Sequence, residues 1–196
     1  MTARIVVGIS GASGAAVGVE IVRTLLHLGA NVDLVISNAA ERTIAEELGP
    51  HTLAEIDALP IRRHDPSDIG ATIASGSNPT HGMIVAPCSM RTLSAIAHSL
   101  SDNLLVRAAD VHLKERRPLV LVARETPLHL GHLRAMTAAT EMGAIIMPPV
   151  PAFYLKPQDI NEIIQQIARR AVDLLRIAPA TAMAWDGGMN PASPEG

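Results

Sequence analysis

The 196-residue chain predicts an α/β fold, a mostly parallel sheet covered by helices on both faces. Short β-branched runs alternate with stretches whose apolar residues recur at helical spacing. Strand-to-helix turns are built from small and hydroxyl residues. Composition agrees: hydrophobic residues make up 48% and charged residues 18%, a globular balance able to fill one core.

Arg4-Ile5-Val6-Val7-Gly8-Ile9-Ser10 reads as a strand buried on both faces. Gly11-Ala12-Ser13-Gly14 then turns the chain into a helix with Val17, Ile21, Leu25 and Leu28 on one face, stopped at Gly29. Asn31 to Ser37 is the next strand and Ala39 to Leu48 the next helix, closed by Gly49-Pro50. These elements form a right-handed βαβ unit. Between Pro50 and Thr80, Pro60, Asp65-Pro66, Gly70 and Ser75-Gly76-Ser77-Asn78-Pro79 are turn chemistry, so a loop-rich segment near the ligand is expected. Later strands are expected at Met83 to Ala86, Pro118 to Ala123 and Ala144 to Met147, separated by helices around Leu93–His98, Leu104–Arg116 and His132–Met142. An amphipathic helix from Gln158 to Arg176 ends the pattern. A single domain over 1–178 and a weakly specified tail over 179–196, rich in Ala, Gly, Pro and Ser, follow from this reading.

A net charge of −3 offers no basic surface for a run of phosphates, so no nucleic-acid partner is expected. Cys88, the one cysteine, cannot form an internal disulfide, and it has no particular histidine tied to it as a catalytic nucleophile would. The sequence shows no secretory pattern and no apolar stretch long enough to span a bilayer. A soluble cytoplasmic protein without membrane insertion is expected.

Two turns at strand C-terminal ends carry candidate chemistry. GASG (11–14) presents backbone N–H groups at a positive helix end, which suits a phosphate; it serves helix packing equally well, and it lacks a third glycine or a P-loop lysine. Ala86-Pro87-Cys88-Ser89-Met90-Arg91-Thr92 places Ser89 and Thr92 to cap a helix or to bind a phosphate. Both turns and Ser37 fall on the sheet edge where open α/β folds bind ligands. Arg124-Glu125 ends a later strand on that edge, either as an ordinary ion pair or as a phosphate-binding cation beside a proton carrier raised in pKa by partial burial. Tyr154 near a strand end is either core packing or a donor to a phosphate. His129 and His132 are spaced to share a metal but lack a third ligand, and no metal is expected.

In this order, GISGASG, APCSMRTLSAIA, DNLLVRAADVHLKERRPLVL, RETPLHLGHL and MGAIIMPPVPAFY resemble the UbiX-like flavin prenyltransferases over almost the whole chain. The resemblance implies a Rossmann-like three-layer αβα flavoprotein fold, a dodecameric homo-oligomer and a flavin held between subunits. It implies reduced FMN as substrate, dimethylallyl phosphate as prenyl donor, and prenylated FMN as the product passed to a UbiD-like decarboxylase of ubiquinone synthesis or aromatic-acid breakdown. By motif match, Gly11, Ala12, Ser13, Ser37, Ser89, Met90, Arg91, Thr92 and Arg124 hold FMN, while Lys114, Tyr154, Arg170 and Trp185 hold the donor. The same match makes Glu125, Ser13, Glu47, Lys114 and Tyr154 catalytic.

Ser99 stands where relatives often have Gly, and Asn78 where many have Phe, which changes the expected wall of the prenyl pocket. The cysteine decarboxylases of the related fold carry a motif resembling PASANT rather than PCSMRT. A non-catalytic FMN-binding subunit of an aromatic-acid decarboxylase is the rival from another class.

Overall fold

The computed structural model describes residues 2–185 and 187. Six strands, β1 (Arg4–Ile9), β2 (Asn31–Ile36), β3 (Arg62–His64), β4 (Gly82–Cys88), β5 (Leu119–Ala123) and β6 (Ile145–Ile146), form one sheet of order β3-β2-β1-β4-β5-β6. Every neighbouring pair is parallel. The helices are α1 (Ala15–His27), α2 (Asn38–Leu48), α3 (Thr52–Asp57), α4 (Met90–Ala97), α5 (Leu104–Lys114), α6 (Leu130–Glu141) and α7 (Ile160–Asp173).

Strand alternation divides the apolar residues between two cores. Ile5, Val7 and Ile9 of β1 and Leu34 and Ile36 of β2 pack with Val17, Ile21 and Leu25 of α1 and with Ile167, Ala168 and Val172 of α7. Val6, Val35, Met83 and Val85 face the other way, against Leu93 and Ile96 of α4, Leu105 and Ala109 of α5, and Ala135 and Ala139 of α6. The result is the three-layer αβα arrangement expected. Gly18 sets the depth of α1, because a Cβ there would collide with the carbonyl oxygen of Ala86 in β4.

The chain runs outward from β1 to β2 and β3, then crosses back to β4. The order therefore reverses between β1 and β4, and the crevice above their C-terminal ends is the natural ligand site.

The segment 50–80 differs from its expectation. It contains α3 and β3, which periodicity missed because β3 is three polar residues held by ions rather than by apolar alternation. His64 Nε2 lies 2.7 Å from Oδ1 of the buried Asp33, and Arg63 pairs with Glu41 and, at 2.8 Å, with Asp57. The later half of the segment is also not on this chain's own switch-point edge. Arg117 donates to the carbonyls of Gly76 (2.6 Å) and Asn78 (3.0 Å), and Arg4 donates to Asn78 Oδ1 (2.9 Å), which fixes this loop at the N-terminal edge of the sheet. Asn78 is thus no wall of a pocket above this chain's own strands.

Part of the tail is also better specified than its composition indicates, since residues 181–183 are hydrogen-bonded to α7. Residues 186 and 188–196 of the expected tail lie outside the described residues. Among the described residues no helix is long and apolar enough to cross a membrane.

Candidate active site at the switch point

Ser10, buried at the end of β1, joins the two turns. Its hydroxyl donates to the carbonyl of Pro87 (2.8 Å) and accepts the N–H of Ser89 (2.8 Å). Ser89 caps α4, accepting the N–H of Thr92 at 3.3 Å, and Ser37 caps α2, accepting the N–H of Ala40 at 3.2 Å. The capping role is therefore real at both positions. It still leaves the N–H groups of Met90 and Arg91, in the first turn of α4, without intrahelical acceptors. That helix end is a ready anion site. Arg91 presents only its backbone there, because its guanidinium is exposed and pairs with Asp102.

The other helix end is already occupied. Glu47, in the last turn of α2, accepts from the N–H groups of Gly14 (3.0 Å) and Ala15 (2.9 Å) at the start of α1. Partial burial raises the Glu47 pKa, but the Ser13 hydroxyl, the two N–H groups and the charge of Arg124 outweigh it, and the carboxyl is held below the usual glutamate range. The GASG turn is thus not an open phosphate cradle. It is close-packed as well, since a Cβ on Gly11 would collide with Ala39 of α2. Ser13, Glu47 and Arg124 come together, with Ala12 in the same turn.

Arg124 follows β5, and its N–H donates to the carbonyl of Cys88 at 3.0 Å. Arg124 and Glu125 are both exposed and form no ion pair with each other; Glu125 Oε1 accepts the N–H of Thr126 at 3.0 Å. The partial burial expected for Glu125 is not supplied by this chain alone.

Tyr154, Arg170 and Trp185 do converge. They line one cavity of about 400 Å³ with Met147, Gln166 and Asp173, and the Tyr154 and Trp185 rings meet edge to face with centroids 5.3 Å apart. Lys114 does not join them. It ends α5 at the opposite edge of the sheet, beside Gly76, and donates to Glu115 Oε1 at 2.5 Å. The five residues of β5 alone put roughly 16 Å between that edge and the one bearing Arg124.

Cys88 is fully buried, which pushes its thiol pKa up, away from nucleophilic use. The His129 and His132 rings stack with centroids 3.6 Å apart. Among the described residues no three His, Cys, Asp or Glu side chains gather as a metal site. Reading by motif missed Ser10, although its place at a strand end was a signal. It also missed Gln166 and Asp173, which share a face of α7 with Arg170 at i−4 and i+3.

The profile of the Flavoprotein family matches residues 1–172. The flavin prenyltransferase UbiX of Thauera aromatica is 52% identical over 184 residues, covering 94% of each chain. The chain belongs to the UbiX-like flavin prenyltransferase family. The crystal structure of AnUbiX (PadA1) in complex with FMN and dimethylallyl pyrophosphate is 44% identical in sequence and superposes with a TM-score of 0.86 over 95% of this chain and 99% of its own. A dodecameric FMN-dependent UbiX-like decarboxylase from Escherichia coli is 42% identical, with a TM-score of 0.89 over 94% of this chain and all of its own. Ser99 and Asn78 are therefore variations within the flavin prenyltransferase family rather than marks of another one.

Proposed function

We infer that this chain is a flavin prenyltransferase that joins dimethylallyl phosphate to reduced FMN at N5 and C6, producing prenylated FMN for a UbiD-like decarboxylase. One observation carries the reading: the chain has two separate places for a phosphate, the open start of α4 and the cavity of Tyr154 and Arg170. A non-catalytic flavin carrier needs only the first.

In this reading the FMN phosphate takes the N–H groups of Met90 and Arg91, with Ser37, Ser89, Thr92 and Arg124 around it. Gly11, Ala12 and Ser13 flank the flavin, and Glu47 holds Ser13 and the α1 start in place. The donor phosphate lies between Tyr154 and Arg170, with Trp185 against the allyl group. As the allylic C–O bond breaks, its electron pair leaves with the phosphate, and the Arg170 cation and Tyr154 hydroxyl meet the growing negative charge. The allylic carbon bonds flavin N5, and the N5 proton leaves with the phosphate. Ring closure then adds a proton to the alkene and removes one from C6, and Glu125 is assigned both transfers. The net addition is one C5H8 unit, with inorganic phosphate released.

Lys114 reaches the donor phosphate from another copy of the chain, since its own Tyr154 and Arg170 lie elsewhere on the protomer. This fits a homo-oligomer, read as a dodecamer with the flavin between subunits, in which Glu125 is also covered. Residues 1–178 are taken as the flavoprotein domain, 179–196 as a tail, and the cytoplasm as its compartment. PCSMRT in place of PASANT disfavours cysteine decarboxylation.

Anaerobic incubation with reduced FMN and either dimethylallyl phosphate or dimethylallyl pyrophosphate, followed by mass spectrometry of the released flavin, tests the reading. A flavin heavier by C5H8 with the monophosphate is expected. Unmodified FMN with both donors supports the carrier instead.

A further inference from the structure

The last described residues run back along α7 and are tied to it at two points. Asp173 Oδ1 accepts the N–H and hydroxyl of Thr181 (2.8 and 3.3 Å), and its Oδ2 accepts the N–H of Ala182 (3.0 Å). Gln166 then pairs with the backbone of Met183 in both directions, accepting its N–H (3.0 Å) and donating to its carbonyl (2.8 Å). Two residues further on, Trp185 meets Tyr154 edge to face and completes the cavity that contains Arg170.

Asp173 is the last residue of α7, where the helix dipole disfavours a carboxylate. Three donors from the tail offset that cost, which gives the residue a reason to be there. Gln166, Arg170 and Asp173 also lie on one face of the helix, so the phosphate-binding cation stands between the two clamps.

We propose that Gln166 and Asp173 are positioning residues: they clamp residues 181–183 as a strap that sets Trp185 over the donor pocket, so that affinity for the allylic phosphate depends on the strap being docked. This rests on the donor site proposed above. Both clamps line the donor cavity, but the hydrogen bonds they make are to the tail. Both act through Trp185 and Tyr154, and the flavin end of the site does not depend on them.

The chain has a single Trp and a single Tyr, so fluorescence of the full-length protein before flavin is added reads the strap directly. In the wild type, tyrosine emission is transferred to the adjacent indole. In Asp173→Asn, tyrosine emission returns and acrylamide quenches the indole more strongly. Ala182→Pro removes one tail donor without touching α7, and the same change is expected there, which separates strap release from damage to the helix. In both variants KM for dimethylallyl phosphate rises roughly ten-fold, the scale of one lost charge-assisted hydrogen bond, while KM for FMN changes by less than about two-fold.

Unchanged indole signals in both variants, or a released indole with unchanged donor KM, would overturn the proposal. The prenyltransferase reading is tested separately. A wild type that makes no prenylated flavin, but whose indole dimethylallyl phosphate protects from acrylamide in a clamp-dependent way, would sink that reading and support the strap. A wild-type indole indifferent to the donor would sink the strap.

Discussion

The carboxylate of Glu47 accepts the N–H of Ala15 at 2.9 Å and so caps a helix that begins 32 residues earlier in the chain. Its pKa is depressed, so its contribution to stability is fully present above the ordinary glutamate range and is lost as pH falls through the lower, folded-state value. Glu47→Gln removes that contribution. The variant should be less stable than wild type by roughly 0.5–1 kcal/mol at neutral pH, a figure kept low because the group is exposed, and the difference should shrink in acid. Urea unfolding at neutral and acid pH checks both the loss and its sign.

His112 carries the opposite charge type and the same direction of pH dependence. It is fully buried, its Nδ1 is 2.7 Å from the carbonyl of Ala108, and its Nε2 is 2.9 Å from the hydroxyl of Thr80. Burial pulls its pKa down to about 4. The unfolded chain therefore binds this proton first, and stability is lost as pH falls from about 6.5 to about 4, by about 3 kcal/mol in all. Replacing His112 with Asn should lower stability at neutral pH and flatten the slope across that window, as denaturant midpoints at pH 7.5 and 5 would show.

Lys114 ends α5 and Arg170 belongs to α7, helices packed on opposite faces of the sheet, and Lys114 does not line the Arg170 cavity. Lys114→Ala and Arg170→Ala should each abolish most prenyl transfer when pure. Mixed oligomers from coexpression should regain about a quarter of wild-type activity, because random mixing gives each shared site two independent even chances of an intact residue. Activity at background in the mixture would place both residues in one protomer's site.

Ser99 closes α4 with φ of 53°, and the N–H groups of Ser99 and Leu100 return to the carbonyls of Ile96 (3.1 Å) and Ala95 (2.9 Å). This left-handed position after a helix suits glycine. Ser99→Gly should therefore stabilise the protein by about 0.5–1 kcal/mol, raising Tm by roughly 1–4 °C with prenyl transfer unchanged. Thermal unfolding with a parallel activity assay tests it.

The amino-acid pattern by itself determined the βα alternation, the parallel sheet, its switch-point edge and the convergence of GASG with PCSMRT, because each rests on local periodicity and turn chemistry. Tyr154, Arg170 and Trp185, which the resemblance named, line one cavity. What only the tertiary structure decided depends on contacts between distant segments. Glu47 rather than a phosphate caps α1, because α2 brings a carboxylate to the N–H groups of Gly14 and Ala15. Asn78 falls at the opposite edge of the sheet, because Arg4 and Arg117 tie the 76–80 loop there. Arg63 and His64 form a strand without apolar alternation, because Asp33, Glu41 and Asp57 lie within reach of their charges. Gln166 and Asp173 hold Trp185 in place, because α7 presents them to a tail whose composition gave no sign of order. Periodicity records which face of an element is apolar, whereas ion pairs and caps between remote residues leave no period to read.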